Sequence, residues 1–176
     1  MIQYREAKTA DAERIAALHA DSWRRHYRGA LADSFLDGDV VADRLAVWTE
    51  RLREPDPGST TVLAVDGASL VGFAHVIFDD DPTWGALLDN LHVAVGQQRR
   101  GVGSRLMELS ARAVRGGMYL WVLEQNVSAR SFYQACKGEW VETDAMPSPE
   151  GVPGRLHGSP RRMRFVWRDA SVLGGS

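Results

Sequence analysis

The chain has 176 residues, 44% hydrophobic and 25% charged, with a formal net charge of −2; this is the size and balance of one compact domain that can bury a core. The near-neutral balance gives no global basic field and removes nucleic acid as an expected partner, while no apolar run approaches the ~20 residues that cross a bilayer. A single cysteine, Cys136, cannot form an internal disulfide, no charged-then-apolar leader opens the chain, and the five histidines are scattered without metal-ligand spacing, so a cytoplasmic protein without membrane association or bound metal is expected.

In chain order, Ile2 to Glu6 reads as a strand, and Thr9 with Asp11 offers a capped start to a helix with Ile15, Leu18, Ser22 and Trp23 on its apolar side. That helix ends near Tyr27-Arg28-Gly29. A second helical region covers Ala30 to Leu52, broken around Asp37-Gly38, with Val40, Val41, Leu45 and Trp48 at helical spacing. Glu54 to Gly58 is a loop. Thr60 to Val65, Asp66-Gly67 and Leu70 to Phe78 predict a hairpin with a two-residue turn, ended by Asp79-Asp80-Asp81-Pro82.

Leu87 to Val95 is a further strand, and it runs straight into Gln98-Arg99-Arg100-Gly101-Val102-Gly103-Ser104 and a helix with Val102, Leu106, Leu109 and Ala113 on one stripe. Strand, glycine turn and helix in that order make an anion site, because free amides and the positive end of the helix dipole meet where glycine lets a ligand approach the backbone. Gly116-Gly117 stops the helix. Met118 to Leu123 is an apolar strand of the kind covered on both faces, and Asn126 caps a last helix through Ser131, Tyr133 and Cys136. Glu139 to Glu142 and Arg162 to Trp167 are the last strands, separated by a Pro/Gly-rich loop, Met146 to Pro160, long enough for mobility or for covering a substrate. The core is expected over about 2–168, as a single domain filling 1–176 with a short C-terminal tail.

Other phosphate-binding motifs do not fit. Gly-x-Gly-x-x-Gly is absent because position 106 is Leu, strands do not alternate regularly with helices, and no Gly-Lys-Ser/Thr follows. The order of elements instead resembles the GNAT superfamily of N-acetyltransferases over nearly the whole length. Three motifs carry the resemblance: Leu91-His92-Val93 followed by Gln98-x-x-Gly101-x-Gly103; Asn126 seven residues before Tyr133; and the opening Tyr4-Arg5-Glu6-Ala7 with Asp11-Ala12. Val95-Gly96 stands where the family often has a proline, and Gly138-Glu139 where it usually has Gly-Phe.

The resemblance implies an α/β (α+β) fold with a mixed, mostly antiparallel, twisted sheet of about seven strands, flanked by about four helices and splayed between strands four and five. It implies acetyl-CoA as the acyl donor, with the pantetheine arm beside Leu91, His92 and Val93, the pyrophosphate on Gln98, Arg99, Arg100, Gly101, Val102, Gly103 and Ser104, and Asn126 and Tyr133 completing the site. Tyr133 is then the proton donor to the departing thiolate. An amine of pKa ~10.4 must lose a proton costing roughly 4–5 kcal/mol at pH 7, and Asp89, His92, Glu124 and His26 are the polar groups near the expected cleft, with strand parity placing Asp89 and His92 on opposite faces. Trp23, His26 and Tyr27 would wall the acceptor site, Trp84 resembles them, and an aromatic wall or Asp79 to Asp81 would suit a cationic amine. The expected acceptor is a small amine. A protein N-terminus or lysine, or acyl-CoA binding without turnover, are the other readings, and a homodimer could form along an exposed final strand such as Arg162 to Trp167.

Overall fold

The computed structural model describes residues 1–174. Its elements are β1 (Ile2–Glu6), α1 (Ala12–His26), α2 (Asp33–Leu36), α3 (Val40–Arg53), β2 (Ser59–Asp66), β3 (Ser69–Asp81), β4 (Gly85–Val93), α4 (Val102–Ala113), β5 (Met118–Leu123), α5 (Val127–Ala135), β6 (Glu139–Ala145) and β7 (Arg161–Trp167). The seven strands form one sheet in the order β1-β2-β3-β4-β5-β7-β6, antiparallel except for β4 beside β5. The helical region expected over 30–52 is two helices, α2 being a single turn, so there are five α-helices.

Helices cover both faces of the sheet. Ile15 and Ala16 of α1 and Trp48 and Leu52 of α3 pack with Leu63, Val65 and Phe73 on one face; Val102, Leu106, Met107 and Ala111 of α4 pack with Ala74, Val76, Ala86 and Leu88 on the other. The entry to α1 is fixed by Asp11, whose buried carboxylate accepts the Lys8 amide at 2.7 Å and ion-pairs with Arg5 and Arg14. These donors hold it well below the ordinary carboxylate range.

The inward stripe of α3 differs from its apolar spacing. Val41 and Leu45 are 40% and 38% exposed, whereas Val40, Arg44, Trp48 and Leu52 are buried. Positions 40, 44, 48 and 52 are four apart and share a face, so an arginine occupies a core-facing position because it is partnered there. Two strand expectations also change. β3 continues through Asp81: Asp80 accepts the Tyr119 hydroxyl, and Asp81 accepts the Thr83 and Trp84 amides and faces Arg164 at 3.6 Å. β7 is not an edge, since it lies between β5 and β6; the free edges belong to β1 and β6. Beyond β7, Ala170 docks through its amide on Gly116 O, so the packed structure reaches past residue 168.

Two features make the cleft. β4 and β5 pair only at Ala86–Met118 and Leu87–Tyr119, and beyond these positions the strands separate, as the sequence reading expects. The register of β4 on β3 jumps from His75–Asn90 to Val76–Leu88. Asp89 is therefore the extra residue of a β-bulge, and a bulge resets the alternation of side chains.

Candidate active site

The splayed strands open a cleft of about 1450 Å³, larger than the ~300–1,000 Å³ of a site for one small ligand. One wall is β4 from Leu87 to Val93, the opposite wall is β5 with the start of α5, one end is the N-terminus of α4, and the other is formed by α1, α3 and residues 146–150.

At the α4 end, Gly101 is the residue preceding the helix and has φ +81°, with open space where a Cβ would project. The first intrahelical bond is Arg105 N–H to Gly101 O at 3.0 Å, so the amides of Val102, Gly103 and Ser104 precede it and point out of the helix end. Gln98, Arg99, Gly101, Gly103 and Ser104 line the cleft. Arg100 instead donates to Gln97, and the Val102 side chain lies in the core, leaving its amide as its contribution. The turn lacking the family's proline is closed by Gln97 N–H to Ala94 O at 3.0 Å. Free amides at a helix N-terminus beside a glycine turn are the geometry of an anion site. Past Leu87 the β4 edge facing β5 has no strand partner, and the register on β3 turns the backbone groups of Leu91 and Val93 to that open edge, while those of His92 face Phe73.

On the β5 side, Asn126 caps α5 by accepting the Ala129 amide at 3.2 Å, and it also lines the cleft. One helical face down, Tyr133 is buried against Phe132, Phe165 and Trp167. Burial pushes its phenol up, with Tyr27 adding to the effect, so it keeps its proton. Gln125 joins this wall to the α1 end, its amide donating to His26 O and Arg28 O at 3.2 and 2.9 Å.

At the α1–α3 end the bulge turns both Asp89 and His92 toward these helices, contrary to the parity expected of a regular strand. Asp89 lies 3.2 Å from Arg51, and His92 Nδ1 lies 2.7 Å from Ser22 Oγ. Burial and the charges of His26 and Arg44 push His92 down to about 3. Beside it His19, held by the Trp48 indole N–H at 3.0 Å, is also kept neutral, chiefly by burial. Tyr27 stacks on Trp23 at 5.4 Å and is pushed up to about 12 by burial and by Asp89. The Trp23 ring is already covered by the Arg44 guanidinium at 4.3 Å. Trp84 and Glu124 do not line the cleft: Arg168 lies over Trp84, and Glu124 faces Arg161 at 4.0 Å.

Residues the sequence reading did not assign to the site also line the cleft: His19, Ser22, Arg44, Arg51 and Glu150 at this end, and Trp121 and Arg162 from β5 and β7. The four-residue spacing Val40, Arg44, Trp48 was the one signal for Arg44. The others come together only through the bulge, the splay and the 146–160 loop. That loop is pinned as a strap. Leu156 bridges to Leu31, Arg155 O accepts the Ala32 amide at 2.8 Å, His157 donates its amide to Ala30 O at 2.8 Å, and Arg44 holds Glu150 at 3.0 Å.

The cleft thus combines a sheet splayed at one parallel pair, a helix N-terminus at one end and a buried phenol on the α5 wall. The model of the acetyltransferase (GNAT) family matches residues 12–138, and the chain belongs to that family. It is 29% identical over 150 residues to the uncharacterized N-acetyltransferase YuaI of Bacillus subtilis, covering 82% of this chain and 84% of that one. It is 30% identical to the probable N-acetyltransferase Rv2775 of Mycobacterium tuberculosis, covering 76% and 77%. Among solved structures, PaiA N-acetyltransferase from Thermoplasma acidophilum in complex with coenzyme A superposes with a TM-score of 0.72 at 16% identity, covering 95% of this chain and 99% of that one, which establishes the shared fold. Among the described residues no group of three or more His, Cys, Asp or Glu is placed to hold a metal, and no helix is long and apolar enough to cross a membrane.

Proposed function

We propose that the protein transfers an acetyl group from acetyl-CoA to the primary amine of a small molecule. The strap supports the small-molecule acceptor: residues 146–150 line the cleft and the rest of the loop is bonded to the α1–α2 turn, which closes the acceptor end against a through-running peptide. The fit to the donor rests on the free amides of the α4 N-terminus, the unpaired β4 edge and a volume large enough for two substrates. Coenzyme A is the ligand of the PaiA structure with the same fold.

When bound, acetyl-CoA supplies an activated acetyl thioester. Val102, Gly103 and Ser104 amides with Arg99 would hold its pyrophosphate, and the backbone groups of Leu91 and Val93 its pantetheine arm. The acceptor nitrogen forms the new C–N bond as the C–S bond breaks. Asp89, through water, takes the ammonium proton, because His92 is held neutral and binds protons too weakly to store one. Tyr133, which retains its proton well above neutral pH, returns one to the departing sulfur.

The test is Tyr133→Phe with thiol release and calorimetric CoA binding on one sample. We expect kcat to fall about 100-fold, the lower range for loss of a general acid, while CoA affinity stays within about twofold. Unchanged kcat removes Tyr133 as the acid. Failure of the unmodified protein to bind CoA overturns the assignment of residues 99–104.

A further inference from the structure

Resting on the proposed acetyl transfer, we infer that the acceptor is an amine that also carries an anionic group, a carboxylate or a phosphate, and that Arg162 and Arg51 receive it. The charged side chains lining the cleft are four arginines (44, 51, 99 and 162) and two carboxylates, Asp89 and Glu150. Both carboxylates are already engaged, Asp89 by Arg51 at 3.2 Å and Glu150 by Arg44 at 3.0 Å. The acidic triplet at 79–81 is outside the cleft, with Asp80 and Asp81 bonded elsewhere. No carboxylate is left over for a polycation.

The tryptophan faces are taken as well. Arg44 covers Trp23 at 4.3 Å, Arg51 covers Trp48 at 5.0 Å, and Arg162 and Arg164 approach Trp121 at 4.0 and 4.4 Å. Of the cleft's tryptophans, Trp23 and Trp121 each already have a guanidinium on them, so a polyamine or aminoglycoside meets like charge where it would need attraction.

Three side chains of the same cleft carry an unmatched nitrogen, the neutral His19 ring at Nε2 and two guanidinia. Arg162 Nε and Arg51 Nη1 are enclosed and have no acceptor among the described residues. Arg162 makes no ion pair within 4.0 Å among those residues, and burial lowers its pKa. Both side chains line the cleft and are only partly covered, Arg51 being 32% exposed, so an anion in the cleft can meet their open guanidinium nitrogens with strong, charge-assisted bonds. The same arginines lower the pKa of an ammonium bound beside them, raising the fraction of free amine that can attack.

The experiment compares matched pairs on the unmodified protein: an amino acid against its amide, phosphoethanolamine against ethanolamine, and spermidine as the cationic control. Turnover is read by thiol release, and binding to the CoA-saturated protein by calorimetry. We expect kcat/KM to favour the anionic member of at least one pair by about tenfold or more, the worth of one charge-assisted hydrogen bond. The two pairs separate carboxylate from phosphate. Arg162→Gln should raise KM for that substrate and abolish the preference within its pair, Arg162→Lys should restore part of it, and CoA affinity should stay unchanged. Preference for the amide, ethanolamine or spermidine overturns the inference while leaving acetyl transfer intact. Neither binding nor turnover of any anionic amine by a protein that binds CoA also overturns it, as does an Arg162→Gln loss of CoA affinity, which would assign this arginine to the donor. No CoA binding at all is the failure of the proposed function instead.

Discussion

At the scale of single residues, the donor end depends on a backbone conformation more than on a side chain. Gly101 takes φ +81° with nothing near its Cβ position, so Gly101→Ala meets no clash and its cost is strain in the left-handed region, about 1 kcal/mol. If the turn relaxes to relieve it, the amides at 102–104 lose their aim. We expect CoA affinity to fall about tenfold with a loss in Tm of a few degrees, measured by calorimetry and thermal unfolding. This glycine was legible in the sequence because a motif marks a backbone need directly. Arg44 was not, although it is 3% exposed: apolar spacing weighted Val41 and Leu45, and an arginine reads as surface until its partners are known. Its partners, Asp43 at 2.7 Å and Glu150 at 3.0 Å, include one 106 residues away.

At the scale of elements, the cleft exists because β4 and β5 are joined at one end only. Gly85 and Gly117 make that joint: a Cβ on Gly85 would lie 2.2 Å from Gly117 O, and Gly85 also has φ +89°. Gly85→Ala must move backbone, so we expect it to cost about 3 kcal/mol, combining clash and strain, or roughly 6–12 °C in Tm for a chain of this size. The loss of the two pairs at Ala86 and Leu87 should also lower CoA affinity, a second readout on the same variant. The strands and main helices were legible because each carries its own periodicity, and the hairpin 59–81 because its turn residues are local. The Asp89 bulge was not, since it depends on how β4 sits on β3. Nor was the docking of the strap, which a Pro/Gly-rich segment leaves open and which contacts with residues 30–32 decide. Both gaps fall at the acceptor end, so the sequence reading located the donor site and left the acceptor site largely unassembled.

At the scale of the whole molecule, three imidazoles are built into the structure in neutral form. His19 accepts the Trp48 indole N–H, His75 Nδ1 lies 2.8 Å from Thr61 Oγ1, and His92 Nδ1 lies 2.7 Å from Ser22 Oγ. Burial is the largest cause in each, with Arg44 and Arg51 adding like charge around them; His75 is pushed down to about 4, His92 to about 3, and His19 well below its ordinary 6.5. An unfolded chain takes up these protons near pH 6.5, and the folded protein does not until far lower pH. Below about 6.5 the unfolded state therefore binds more protons, and stability falls as pH falls, by up to about 1.4 kcal/mol per pH unit for each imidazole and up to about 4 for the three. Their contribution is fully present above pH 6.5 and is lost on descent toward pH 4 and 3. Asp11 adds a separate loss only below the ordinary aspartate value of 3.8, because its folded pKa is also depressed. Denaturant unfolding at pH 8, 7, 6 and 5 should give equal stability at the first two and a steep decline over the last two. The decline should be shallower in His75→Gln, which removes one titrating ring away from the reacting groups. Equal stability at pH 7 and 5 would mean that the rings are hydrated and able to charge, and His92 would then return as a candidate base beside Asp89.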